Sequence, residues 1–153
     1  MRPLSSLAVF SLLVIVLCAC NSTRNNNAAS PSPASPVVSL AGTEWVLRDL
    51  AGTPALATPQ ATLAFPEAGR VAGSGSCNRF TGSVEISGSN LKFGPLASTR
   101  MACMDNGVSD QEDRYFKALG AATRYALENG DLLIYCEGYA KPLRFSRAAA
   151  GKP

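Results

Sequence analysis

Between residues 43 and 147 the apolar positions come in short alternating runs, and almost every run stops at Gly, Pro, Ser or Asn. A chain patterned this way is limited to many short strands. "TEWVLRDL" (43–50) puts Trp45, Leu47 and Asp49 on one face and Val46, Arg48 and Leu50 on the other. Similar runs follow at "ATLAF" (61–65), "RVAGSG" (70–75), "FTGSVEI" (80–86), "NLKFGPL" (90–96), "RYALE" (124–128), "DLLIYC" (131–136) and "KPLRFSR" (141–147). "SGSN" reads as a hairpin turn between Ile86 and Leu91. "ENGD" is a stronger one, because Asn129 and Gly130 suit the positive dihedrals of a type I′ turn. The expectation is seven or eight antiparallel strands.

One segment departs from this pattern. "SDQEDRYFKALGAATRY" begins with Ser109 as a helix N-cap and Glu112 at capping-box spacing, with Asp110, Glu112 and Asp113 placed for the first turn. Phe116 and Leu119, with Tyr115 and Ala122, form an apolar stripe at 3.6 spacing. This predicts one helix over about 109–122. The fold class implied is mainly β, either a small antiparallel barrel or a highly curved sheet, whose interior or open end the helix covers.

The length of 153 residues allows one modest domain. Part of the apolar content lies outside it, since residues 1–19, "MRPLSSLAVFSLLVIVLCA", have the basic start, apolar run and small final residue of an export signal. Leu17 to Cys20 read L-x-A-C, which resembles the lipobox of bacterial lipoproteins; Cys18 is excluded by the bulky Leu17 before it. The resemblance implies that Cys20 is acylated and becomes the first mature residue, and Asn21 in place of a retention aspartate implies the outer membrane, with the domain facing the periplasm. Several acyl chains give lasting attachment where one is marginal. Residues 21–38 are almost entirely Asn, Ser, Ala and Pro, with nothing to bury. They predict a disordered tether spanning roughly 20–25 Å. The organisation expected is therefore signal (1–19), acylated Cys20 and tether (20–39), one domain (40–147) and a loose tail (148–153).

Charge and residue absences exclude several functions. The 14 basic residues less Arg2 leave 13 against 11 acidic, with no basic run, so nucleic-acid binding is unsupported. The chain has no histidine, which removes Ser-His-Asp and Cys-His catalysis and the commonest zinc ligand. Asp110, Glu112 and Asp113 crowd together for reasons of helix dipole, and Asp105, Asn106 and Asp110 lack the Gly and final Glu of a calcium loop. "SNLK" (89–92) matches S-x-x-K without its companion motifs. No catalytic residue, metal site or cofactor is expected.

"GSGSCNRFTG" (73–82) admits three readings: a phosphate cradle, a nucleophile's loop, or strand backbone that must bend. Asn78 stands where a third glycine belongs, no Gly-Lys-Ser/Thr follows, and Cys77 has no histidine to activate it. The structural reading leads, because glycines inside strands mark bulges, corners or close backbone approach. Cys77, Cys103 and Cys136 form no C-x-x-C, and in an exported chain three remaining cysteines imply one disulfide and one leftover.

"GTEW" (42–45) with Leu47 and Leu50, "VAGSGSCNRFTG", "LASTRMACM" (96–104), the helix, and "LLIYCEG" with "PLRF" together resemble the META/HslJ-like family of bacterial envelope lipoproteins over about residues 42–146. The resemblance implies a lipocalin-like barrel with one helix and a role in stress response or antibiotic tolerance, with no enzymatic activity, cofactor or ligand attached. It supports a Cys77–Cys103 bridge, worth roughly 3.5 kcal/mol by loop entropy. Cys103–Cys136 is the other pairing; the alternation Leu132, Ile134, Cys136 points Cys136 inward as a buried thiol.

A Cys77–Cys103 bridge would gather Asn78, Arg79, Thr99, Arg100 and Met101 into one patch. Read functionally, it binds an envelope protein or a cell-wall component, with Arg79 and Arg100 as anion contacts. Read structurally, Asn78 and Thr99 satisfy backbone groups at a barrel corner. The favoured class is a monomeric, non-catalytic lipoprotein acting through binding. The alternatives are a hydrolase inhibitor using the "MDNGVSD" loop (104–110) and an apolar-ligand carrier, which requires that Trp45, Phe65, Phe80, Phe93, Phe116 and Phe145 line a pocket rather than fill the barrel.

Overall fold

The computed structural model describes residues 39–149, so the signal, Cys20, the tether up to residue 38 and the last tail residues lie outside the described residues. The elements in chain order are β1 (Thr43–Leu50), β2 (Thr53–Pro54), β3 (Ala61–Phe65), β4 (Arg70–Gly75), β5 (Arg79–Ser87), β6 (Asn90–Ser98), α1 (Asn106–Gly120), β7 (Ala122–Glu128), β8 (Asp131–Cys136) and β9 (Leu143–Arg147). Each strand pairs antiparallel with its neighbour, and β1 also pairs with β9 through Trp45↔Arg147 to Leu50↔Leu143. The sheet is therefore a closed eight-strand barrel, accompanied by a single helix among the described residues. β2 is an added two-residue strand that continues along the β1 edge where β3 stops.

Local chemistry explains the tight connections. Asn129 and Gly130 both have positive φ, as a two-residue type I′ hairpin between β7 and β8 requires. β5 and β6 are joined through Gly88 and Ser89, with Ser87 opposite Asn90. The β1–β2 turn, unmarked by the apolar pattern, uses Ala51 and Gly52 at positive φ, with the Asp49 carboxylate accepting from the Gly52 N–H.

The strict alternation expected along β1 breaks at one point. Its register against β9 shifts between Leu47 and Asp49, so Leu50 turns into the core beside Trp45 and Leu47 rather than away from them. A bulge of this kind adds one residue and flips every later side chain to the other face.

The helix begins earlier than Ser109. Asp105 is the N-cap, its Oδ1 accepting from Gly107 N (2.7 Å) and Val108 N (3.3 Å), and the helix runs Asn106–Gly120. Ser109 is inside it, its hydroxyl donating to Asp105 O. No acidic residue then falls in the first turn. The buried face is Gln111, Glu112, Tyr115, Ala118 and Leu119, while Phe116 is only half-buried and Ala122 belongs to β7. Tyr115 enters the barrel, 6.1 Å from Phe80 and 6.2 Å from Phe145 between ring centroids. Trp45, Phe65, Phe80, Phe93 and Phe145 pack into one core with it, so these rings fill the barrel. The tail after Arg147 is held at its start, where Ala148 N donates to Glu44 O (2.8 Å).

Because Phe145 is fully enclosed, Phe145→Ala should lower unfolding stability by about 3–5 kcal/mol in chemical denaturation. A loss under about 1 kcal/mol would mean that the barrel interior collapses around the cavity.

Candidate functional site

The site forms where β4 turns into β5. Gly75 N donates to Asn78 O (2.8 Å), making Ser76 and Cys77 the two central residues of a hairpin turn. Ser76 has φ +103°, a conformation in which glycine is the ordinary occupant. It is held there by neighbours: its hydroxyl accepts from Gln111 Nε2 (2.7 Å), and Gln111 Oε1 accepts from Leu56 N (2.7 Å).

This turn aims its backbone donors at one group. Cys77 N (3.1 Å) and Asn78 N (2.6 Å) both donate to Glu112 Oε2, and Asn78 Nδ2 donates to Glu112 Oε1 (2.7 Å). Successive N–H groups in a turn make an anion-binding concavity. The glycine-containing stretch does cradle an anion, and that anion is the protein's own buried carboxylate. Gly75 is required for it, since a Cβ there would lie 2.6 Å from Glu112 Oε2. Gly73 is required for close packing: a Cβ would lie 2.2 Å from Thr62 O and 2.8 Å from the Phe80 ring.

Asn78 extends the network to the segment that follows β6. Its Oδ1 accepts from Met101 N (2.8 Å) and from Thr99 Oγ1 (2.9 Å), while Thr99 Oγ1 accepts from Arg79 N (3.2 Å) and Thr99 N donates to Arg79 O (3.0 Å). Cys77 and Cys103 are joined in a disulfide with Cα atoms 6.0 Å apart, and among the described residues Cys136 is the free, buried thiol. Residues 99–103 are thus fastened to 77–79 by side-chain amide, hydroxyl and sulfur together.

The five patch residues predicted from sequence do come together, but not as equals. Asn78 is buried and is spent on the interior network, as the structural reading required. Arg79, Thr99, Arg100 and Met101 are exposed, and neither arginine is in an ion pair among the described residues. Met104, next to Cys103 in the chain, is 99% exposed. Glu112 and Gln111 are the site residues that sequence reasoning misses: capping-box spacing assigns Glu112 to the helix start, and no local pattern gives Gln111 a role. The "MDNGVSD" stretch is not a protruding loop, because Asn106 onward is helix and the Asp105 carboxylate is occupied as its cap. Sγ of Cys77 and Cys103 and a Glu112 carboxylate oxygen lie within 4.8 Å of one another. With the sulfurs bonded to each other, neither is a thiolate able to ligate a metal.

Burial raises the Cys136 thiol from 9.0 to about 11 and pushes the Tyr115 hydroxyl, which donates to Thr62 O, well above its ordinary value.

Glu112→Ala should cost about 3 kcal/mol or more, since it strands three donors facing one charged acceptor, and Gly75→Ala should destabilise in the same direction; thermal unfolding measures both. The raised Cys136 pKa makes its contribution to stability complete below about pH 9 and lost as pH rises from about 9 to about 11, because the unfolded thiol ionises first. Denaturation curves across that window should fall less steeply for Cys136→Ala than for the parent chain.

Solved structures share this architecture. A Burkholderia xenovorans protein determined by NMR is similar at 28% identity and a TM-score of 0.60, covering 78% of this chain and 92% of its own. A second NMR structure is similar at 24% identity and the same TM-score, covering 74% and 95%. No curated protein matches the chain. The META domain model matches residues 38–150, which includes every strand of the barrel, the helix and both cysteines of the bridge. The chain belongs to the META domain family.

Proposed function

We propose that this chain is a non-catalytic binding lipoprotein of the bacterial outer membrane, anchored through Cys20 with its domain in the periplasm. Its role is in envelope stress or antibiotic tolerance, through binding an envelope protein or a cell-wall component. The observation that carries the reading is the exposed group Arg79, Arg100, Met101 and Met104, mounted on backbone that the Glu112 network and the Cys77–Cys103 bridge immobilise. Side chains presented on rigid backbone lose little chain entropy on binding. Arginine matches carboxylate and phosphate groups bidentately, and exposed methionine adapts to irregular apolar surfaces. A non-catalytic role is supported by the absence of histidine from the sequence and by the full engagement of Glu112 in hydrogen bonds within the fold. Anchoring is supported by the L-x-A-C at 17–20.

Two double variants test the surface, Arg79→Ala with Arg100→Ala and Met101→Ala with Met104→Ala. Exposed substitutions of this kind leave stability within about 0.5 kcal/mol. In a strain lacking the native gene, both should fail to restore drug tolerance and should retain less of the bound partner in envelope pull-downs. Full restoration by both, with the pull-down unchanged, would discard this surface. Cys20→Ala should move the protein from the membrane to the soluble fraction, and a variant that stays membrane-bound would discard the anchor.

A further inference from the structure

The barrel has one weak seam. β5 and β6 pair through seven residues each and β7 and β8 through six, whereas β6 and β7 share only Asn90↔Arg124, with Tyr125 N donating to Ser89 O (2.8 Å) beside it. The cause is the helix. The chain leaves β6 at Ser98, runs through α1, and starts β7 at Ala122 near the first residues of β6, so these two strands meet only at one end.

Where they diverge lies a surface groove of about 510 Å³. Its apolar lining is Leu91 and Ala122, both buried, with Ala121 and the exposed side chain of Ile86. Its ionisable lining is Glu85, Lys92 and Glu137, all exposed and none in an ion pair among the described residues. Lys92 stands directly opposite Glu85 in the β5–β6 register, so it offsets one carboxylate and leaves the charge of Glu137. Helix α1 also ends here at Gly120, and a helix C-terminus carries negative partial charge. Lys117, the basic residue of that last turn, and Arg124, opposite Asn90 with its guanidinium 3.5 Å over the Tyr135 ring, are both outside the lining. The result is a groove with an apolar floor and a negative rim.

We propose that this groove binds a small cationic amphiphile, its alkyl part on Ile86 and Ala121 and its charged head beside Glu137, Glu85 and the end of α1. The site is separate from the exposed surface around Arg79, because Arg79 and the groove residue Glu85 lie six residues apart along β5, roughly 20 Å at about 3.3 Å per residue. An anionic amphiphile of the same length meets the same floor and a repelling rim.

Dodecyltrimethylammonium, kept below its micelle-forming concentration, is the probe, titrated into the isotope-labelled full chain and followed by NMR. Dodecyl sulfate serves as the anionic counterpart and tetramethylammonium as a head without a tail. Amide shifts should gather on residues 85–87, 90–92, 120–123 and 137. Affinity should exceed that for dodecyl sulfate by about fivefold or more, and the tailless head should not bind measurably. Glu85→Gln with Glu137→Gln should weaken binding about fivefold, the scale of two partly solvated charge contacts. Ile86→Ser should weaken it with the spectrum otherwise unchanged. Equal affinity for dodecyl sulfate, shifts scattered over the core or gathered on 99–104, or indifference to the Glu85 and Glu137 changes would each overturn the proposal.

Discussion

The carboxylate of Glu112 seated in the β4–β5 turn is the contact on which the arrangement of the domain depends. A buried charge without partners is costly, and here three donors from two residues face it. That requirement fixes the rotation and the height of α1 against the barrel. Tyr115, Ala118 and Leu119 follow on the same helix face and close the barrel from within. The same turn sets Asn78, whose amide pairs with the backbone of Met101 and so fastens the end of the chain segment leaving β6. The disulfide reinforces a junction that hydrogen bonds already define. Bridge and network differ in kind, since the bridge restricts the unfolded chain and the network stabilises one folded geometry.

The two ends of α1 have opposite consequences. At its start, Asp105, Gln111 and Glu112 tie helix, turn and strand end into one rigid body, and exposed side chains are carried on it. At its finish, the helix shortens the pairing of β6 with β7 and leaves a surface groove beside it. An all-strand barrel of this size would seal itself with hydrogen bonds and fill its interior with side chains. Inserting a helix between two neighbouring strands trades part of that seal for surface relief. A filled barrel leaves only its outside for contact with other molecules, which is where the exposed arginines, the methionines and the groove all lie.

Much of the architecture was legible in the sequence because it is written at short range. Seven or eight strands could be read from alternation and turn residues, and the type I′ turn at Asn129–Gly130 needed only two adjacent residues. The pairing of Cys77 with Cys103 came from the resemblance of two motifs, since the cysteine count alone allowed Cys136 as a partner. Gly73 and Gly75 were readable as places of close backbone approach, but not what approaches them. The helix start is hard to place from sequence because Ser109 and Glu112 reproduce a capping box, while Asp105 caps the helix before any apolar stripe begins. The flip of Leu50 into the core was hidden because a bulge leaves no trace in the alternation of one strand.

The sequence by itself determined the types of the main elements, two of the hairpin turns, the exclusion of histidine chemistry and the residues eligible for a bridge, since each rests on composition or on neighbours a few positions apart. Only the tertiary structure decided that the apparent phosphate loop is filled by Glu112, that Asn78 is structural while Arg79 and Arg100 are exposed, and that β6 and β7 part company. The Glu112 and Asn78 contacts join partners 21 to 35 positions apart. A contact at that separation has no local periodicity or turn chemistry to announce it, and it exists only once the barrel has closed and brought the helix against the turn.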